Sequence, residues 1–459
     1  MLHIHRGLSI LIGSALLATL WGGDALGERA VAAPLGTTFV VNTLSDLPDP
    51  APGNGVCEVA GSPTSCTLRA AIMEANLWPG DDTITFSPGL PTPAIFALTR
   101  VGQDDTALNG DLDITGNLTI QGRGASQTIL EGDGNDRVLH VISGFVLITG
   151  LAITNGQAAS GGGLYNSGVL IVTHSTISNN YAESAVGGYG GGIYNSGVLT
   201  VTHSAIGGNF GLLGNGVFVA GPTWLDQSTV QGNNIIGSGV GSGLWNENKL
   251  TVTHSTISGN QGGGIVNRAG AQLWAWNSTI DGNTSTGNGG GISNSGQANL
   301  YNVTISHNTA DSDDDSAGNG GGVYNYAGAT FNTRNTLLAV NYRGITPLLN
   351  DCSGEIWSDH SRFTSVPVGC SIVGPSSFTT DPNGIGPLDD NGGPTLTVAL
   401  LPGSDAIDAA DQVQGCVNYN SVLPTDQRGA PRVAGTWCDV GAYEFGSPLP
   451  RLFLPLVIR

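Results

Sequence analysis

The chain is nearly without lysine: Lys249 is the only one among 459 residues. Only 11% of residues are charged, and the net charge is −20. Such a surface argues against nucleic acid and anionic membrane surfaces as partners. The Leu/Ala/Glu/Lys stretches of about 10 or more residues that helical repeats need are absent. No CxxC spacing occurs, which argues against zinc. What is abundant is glycine, at 72 residues.

The glycines are not scattered. Gly161-Gly-Gly-Leu-Tyr-Asn166 recurs as Gly190-Gly-Gly-Ile-Tyr-Asn195, Gly241-Ser-Gly-Leu-Trp-Asn246, Gly262-Gly-Gly-Ile-Val-Asn267, Gly289-Gly-Gly-Ile-Ser-Asn294 and Gly320-Gly-Gly-Val-Tyr-Asn325. Gly214-Asn-Gly-Val-Phe-Val219 is a degenerate copy. A second phrase, rich in Ser, Thr and Ile, ends at Asn180, Asn209, Asn233, Asn260, Asn283, Asn308 and Asn341. The mean period is about 27 residues, which marks a repeat architecture.

Short β-branched runs such as Val169–Val172 read as strands. Stacked about 4.8 Å apart, Ile177, Ile206, Val230, Ile257, Ile280, Ile305 and Leu338 become one aliphatic column. Leu164, Ile193, Val217, Leu244, Ile265, Ile292 and Val323 become another. Glycine corners with positive φ and laddered asparagines complete a parallel β-helix. A β-propeller wants periods of about 40 or more and Trp-Asp signatures, which do not occur.

Residues 1–32 read as a secretory signal peptide: Arg6, an apolar run from Leu8 to Trp21, and Ala30-Val31-Ala32 as the cleavage pattern. The mature chain is then secreted or displayed at a cell surface, with no transmembrane span expected in it. Six cysteines in an exported chain suggest three disulfides, and the pairing with least loop closure is Cys57–Cys66, Cys352–Cys370 and Cys416–Cys438.

Cys66-Thr-Leu-Arg-Ala-Ala-Ile-Met-Glu-Ala-Asn76 resembles the CSLREA motif of secreted bacterial β-helix proteins, with Thr67 for Ser and Ala70 for Glu. Read physically, Thr67 is a helix N-cap, and the short helix after it covers the open end of the first coil. Asp390-Asn-Gly-Gly-Pro-Thr395, Leu400 to Asp408, Thr425 to Arg432 and Cys438 to Glu444 resemble the choice-of-anchor Q domain. The repeats resemble the pectin-lyase-like architecture, which implies a right-handed helix. The fold class expected is all-β: a right-handed parallel β-helix solenoid with a short N-terminal capping helix and a disulfide-bearing C-terminal module. The expected organisation is a cap over 33–110, repeats over 111–345, the module over 346–446 and a tail over 447–459.

Clustered carboxylates would mark an enzyme, and in a solenoid they must fall in one column of adjacent coils. Asp281 has Ser258 and Ser306 as column neighbours, and Asp226 has Thr202 and Thr253. His174, His203 and His254 share a column that Gln227 breaks, a product of repeat duplication rather than a metal ladder. Asp426, Arg428, Asp439 and Glu444 suit an internal ion pair of the C-terminal module. The acidic run Asp311, Asp313, Asp314 and Asp315 is the candidate Ca²⁺ loop, since hard cations want several carboxylate oxygens. Tyr165, Tyr194, Trp245 and Tyr324, with Phe218, share a column one residue after the inward aliphatics. Val266 and Ser293 interrupt it. Alternation turns it outward, as a candidate sugar-stacking stripe, with an inward core column as the alternative. The expected function is a structural, adhesive or glycan-binding module without catalysis, whose partner is an extracellular polysaccharide or a cell-surface component. The alternative is a polysaccharide lyase or glycoside hydrolase.

Overall fold

The computed structural model describes residues 36–449, apart from short stretches at 103, 135, 184–186, 238–239, 367–368, 380–383 and 419–420. The signal peptide and most of the tail, expected over 1–32 and 447–459, lie outside the described residues.

The chain is an all-β parallel solenoid in which each coil lays down three strands. The first column runs through Val169–Thr173, Val198–Thr202, Thr223–Asp226, Lys249–Thr253, Gln272–Trp276, Gln297–Tyr301 and Thr330–Arg334, each paired in parallel with the next. The second includes Thr256–Ser258, Thr279–Asp281 and Thr304–Ser306, and the third Leu164–Asn166, Ile193–Asn195 and Val217–Val219. Both aliphatic columns read from the sequence are fully buried: Ile206, Val230, Ile257 and Leu164, Ile193, Val217 are at 0% exposure. The strand columns run further than 111–345. They begin with Thr38–Val41 and Asp82–Phe86, and they end with Cys352–Phe363 and Cys370–Thr379.

The corners explain the remaining repeat letters. His174, His203, Gln227, His254, Asn277, Asn302, Asn335 and His360 all sit at φ between 47° and 53°, at the turn from first to second strand. This left-handed region favours Gly, Asn, Asp and His over bulkier residues. The histidine column of the Thr-His-Ser phrase is thus a corner position.

The asparagine that ends the second phrase is buried at 0% in every copy. Its amide donates to the next coil's Oδ1: Asn180 to Asn209 at 3.0 Å, Asn233 to Asn260 at 2.9 Å, Asn260 to Asn283 at 2.8 Å, Asn308 to Asn341 at 3.0 Å. The ladder ends on Asp351, which accepts from Asn341 Nδ2 at 2.8 Å. A second, interrupted ladder runs Asn246–Asn267–Asn294–Asn325.

At the N-terminal end, α1 (Leu68–Leu77) packs against the first coils. Thr67 caps it, accepting from Ala70 N at 2.9 Å. Arg69, 1% exposed, pairs with Asp46 at 2.7 Å and donates to the carbonyls of Ala107 and Gly110. Glu74 accepts from the backbone of Gly53 and Gly55. Disulfides join Cys57 to Cys66, Cys352 to Cys370 and Cys416 to Cys438.

After the last coil, Ile385–Asp389 pairs antiparallel with Thr397–Leu400, and the segment to 449 lies along the solenoid flank. It docks on the corner column: Asn277 Nδ2 donates to Thr425 O, Asn302 Nδ2 to Val417 O and Asn335 Nδ2 to Gly415 O. Gln427, 1% exposed, donates to Ser255 O and Thr256 Oγ1 and accepts from Thr279 Oγ1. The expected internal ion pair is present: Arg428 donates to Asp426 at 2.7 Å and lies 3.7 Å from the Tyr443 ring centroid.

Candidate functional site

The expected aromatic column exists but does not form an open platform. Tyr165, Tyr194, Phe218 and Trp245 are consecutive partners, followed by Val266, Ser293 and Tyr324. They face out of the coil, yet they cover one another. Tyr165 stacks on Tyr194 with centroids 4.7 Å apart, and Tyr194 on Phe218 at 5.1 Å. The cause is the coil spacing: aromatics in every successive coil lie at stacking distance, so their faces are spent on each other. Arg268 covers Trp245 at 5.2 Å, and Trp245 Nε1 donates to Glu247 at 3.1 Å. Trp245 is only 6% exposed, which corrects the expectation of an exposed stripe at that residue. Tyr165, Tyr194 and Tyr324 are half-buried.

In the acidic turn, Asp311, Asp313 and Asp315 bring carboxylate oxygens within 4.8 Å of one another, and Asp314 lies exposed beside them. Asp311 is buried and already pairs with Arg343 at 3.2 Å. His174 and His203 stack as parallel rings, centroids 5.0 Å apart. The pairing registers confirm that Asp226 and Asp281 have only Thr or Ser as column neighbours.

The aromatics that share an open groove lie elsewhere, on the outer face of the first strand column. One outward column reads Thr200, Trp224, Thr251, Trp274, Asn299, Asn332, Trp357. The adjacent one reads Thr202, Asp226, Thr253, Trp276, Tyr301, Arg334, Asp359. Beneath them Leu225, Val252, Ala275 and Leu300 are buried to 1% or less. Two contiguous hollows, of about 520 Å³ and about 410 Å³, share Tyr301. Trp224, Lys249, Trp274 and Trp276 line the first, with Asn418 and Ser421 of the C-terminal segment as its far wall. Asn299, Asn332, Arg334 and Trp357 line the second. Trp224 and Trp357 are 38% and 40% exposed.

The polar groups of this groove are arranged with one gap. Asp226 accepts from Thr253 Oγ1 at 2.5 Å and faces His254 Nδ1 at 3.0 Å. Burial works to raise the Asp226 carboxyl, but these hydrogen bonds outweigh it and hold it below its ordinary value. Arg334 donates to Asp359 at 2.7 Å. Asn299 is 4% exposed; its Oδ1 accepts from Asn332 at 2.9 Å, but its Nδ2 has no partner among the described residues. A buried donor left unpaired is uncommon and asks for a reason.

A second cleft, of about 390 Å³, gathers Asp104, Asp105, Asp111, Asp136, Arg137 and His140. Burial pushes the Asp111 carboxyl up to about 7; Arg137 opposes this and Asp113 adds to it. Burial also acts on Asp104, but donors from Thr106, Leu108 and Asn109 outweigh it and hold it below its ordinary value. Asp113 Oδ1 lies 3.2 Å from His140 Nδ1. Column reasoning missed this cleft because Asp104, Asp105 and Asp136 come from irregular segments, not from aligned strands.

The signal for the Trp groove was legible: Gln272-Leu-Trp-Ala-Trp276 alternates apolar-inward with aromatic-outward. No family model matches the chain, and no curated protein matches it. Among solved structures it is similar to pectate lyase Pel9A, with a TM-score of 0.47 and 14% identity over 90% of this chain and 97% of that one.

Proposed function

We propose that the protein is a secreted or cell-surface glycan-binding module whose ligand lies in the groove over Trp224, Trp274, Trp276, Tyr301 and Trp357. One observation carries this reading. The indole and phenol rings gather on one open face, and the groove floor holds the unpaired amide of Asn299. Aromatic side chains bury large apolar area against a flat ligand while polar tips stay wet, and an unpaired donor suits a hydroxyl-bearing ligand. Secretion rests on the expected leader and on three disulfides, which persist in oxidising compartments. The resemblance of the flanks to the CSLREA motif and the choice-of-anchor Q domain supports display at a bacterial surface. Affinity electrophoresis in polysaccharide-containing gels tests the reading. Trp274→Ala should abolish retardation with the melting temperature kept. Retention of binding in Trp274→Ala and Trp357→Ala alike would refute it.

The second reading, cleavage of a glycosidic bond, has its own observation. In the acidic cleft, Asp111 is poised to carry a proton near neutral pH, while Asp104 stays ionised. Two carboxylates whose environments push them apart suit general acid and base roles. Screening for reducing ends and for unsaturated products, with Asp111→Asn as control, tests it. Activity unchanged in that variant would place any catalysis elsewhere.

A further inference from the structure

We infer that the ligand of the Trp groove is an uncharged, extended polysaccharide running along the solenoid axis, not a polyuronate; this rests on the groove being the binding site.

Length and direction come from the register. Trp224 and Trp274 are two coils apart, about 9.6 Å, and Trp224 and Trp357 are five coils apart, about 24 Å. The intervening partners are Thr251, Asn299 and Asn332. Aromatic and small polar positions therefore lie along one line parallel to the axis. A compact ligand would leave most of this line empty. An extended chain meets all of it, because two coils match two successive pyranose units.

Charge separates the ligand classes. A polyuronate carries one negative charge per sugar and needs a matching row of cations. The groove has no such row. Arg334 is already held by Asp359, and Asp226 is held by Thr253 and His254. Lys249, the chain's single lysine, is the one cation of the lining without a carboxylate partner among the described residues. The four charged side chains Asp226, Lys249, Arg334 and Asp359 sum to zero, within a chain of net charge −20. A polyanion would be repelled by that field and would gain one ion pair in return. The remaining groups, Thr251, Thr253, Asn299, Asn332, Asn418 and Ser421, are the neutral donors and acceptors that read hydroxyls.

The test uses the purified mature chain with three probes: a soluble β-glucan, a xylan, and polygalacturonate with and without Ca²⁺. Affinity electrophoresis and calorimetry read binding as salt rises from about 0.05 M to about 0.5 M, where screening removes charge-driven binding. The expected result is binding to at least one neutral polymer, changed less than about two-fold by salt, and weakened at least about ten-fold by Trp274→Ala. Polygalacturonate should not bind in either condition. Tighter binding to polygalacturonate, with or without Ca²⁺ and lost in Trp274→Ala, overturns the uncharged class and leaves the groove standing. Binding to a neutral polymer that survives both Trp274→Ala and Trp357→Ala overturns the groove itself. Absence of binding to every probe counts against both.

Discussion

Replacing Asn260 by alanine is the sharpest test of how the solenoid is held together. The Asn260 amide makes four contacts across three coils, all buried. Its Oδ1 accepts from Asn233 N at 3.1 Å and from Asn233 Nδ2 at 2.9 Å. Its Nδ2 donates to Val230 O at 3.0 Å and to Asn283 Oδ1 at 2.8 Å. Two of the four partners have another bond to fall back on: Asn233 Nδ2 still donates to Ile206 O, and Asn283 Oδ1 still accepts from Asn260 N. Val230 O also stands in the parallel ladder between Thr229–Gln231 and Thr256–Ser258, so Asn233 N is the group left without its bond. An unsatisfied buried group costs about 1–3 kcal/mol, which sets the expected loss. In a solenoid each coil leans only on its neighbours, so the damage should centre on residues 230–283. Denaturant melts give the total, and amide exchange gives its location, with Asn233 N exchanging faster. A variant that melts within about 0.5 kcal/mol of the parent would refute buried laddering, because the loss of the partner of Asn233 N alone should exceed that.

Four further outcomes follow from other residues. Trp245→Ala should lose about 3 kcal/mol in a thermal melt and leave glycan binding intact, since the ring is covered by Arg268 and its neighbours; a stable variant that loses ligand would restore it as a platform. Asp351→Asn should destabilise by about 1–3 kcal/mol although it extends the repeat letter, because Thr364 Oγ1 and Ser365 N both donate to Oδ2, where an amide would present its own hydrogens. The folded-state value of Asp111, about 7, lies above its ordinary 3.8, so its contribution is present in acid and lost as pH rises through about 7; the melting temperature should fall from about pH 4 to about pH 7 and level off above, and Asp111→Asn should ease that slope. With Arg343 already neutralising Asp311, EGTA should leave the melting temperature unchanged; a drop cancelled by Asp313→Asn would assign a Ca²⁺ to the turn.

The coil was legible because each of its rules repeats. Inward aliphatics, buried asparagines and glycine corners recur at one period, so each copy confirms the last. The sites are not repeated, and that is why they were read less well. The Tyr165–Trp245 column drew attention because it recurs, yet recurrence in successive coils makes rings stack and hides their faces. Trp224, Trp274 and Trp357 are spaced by Thr251, Asn299 and Asn332, so they look less like a pattern in one dimension and more like a surface in three. The acidic cleft was invisible for a related reason. Asp104 and Asp136 share no strand column, and only the irregular path of the first coils brings them beside Asp111.

One corner column shows how a repeat acquires a partner of its own. A left-handed corner tolerates glycine, histidine or asparagine, so stacking alone leaves the choice open. His174 and His203 stack their rings on each other. At Asn277, Asn302 and Asn335 each amide donates to a carbonyl of the C-terminal segment that packs there. Asn335 Oδ1 also accepts from Asp411 N, and Asn277 Oδ1 accepts from Arg432 at 2.7 Å. An amide carries a donor and an acceptor at the end of one short stem, so it can serve both kinds of partner in an irregular segment without changing charge. The same docking places Asn418 and Ser421 against Trp276 and Tyr301. The choice of asparagine at three corners therefore does more than hold the C-terminal segment: it supplies the far wall that turns an open sheet of aromatics into a groove.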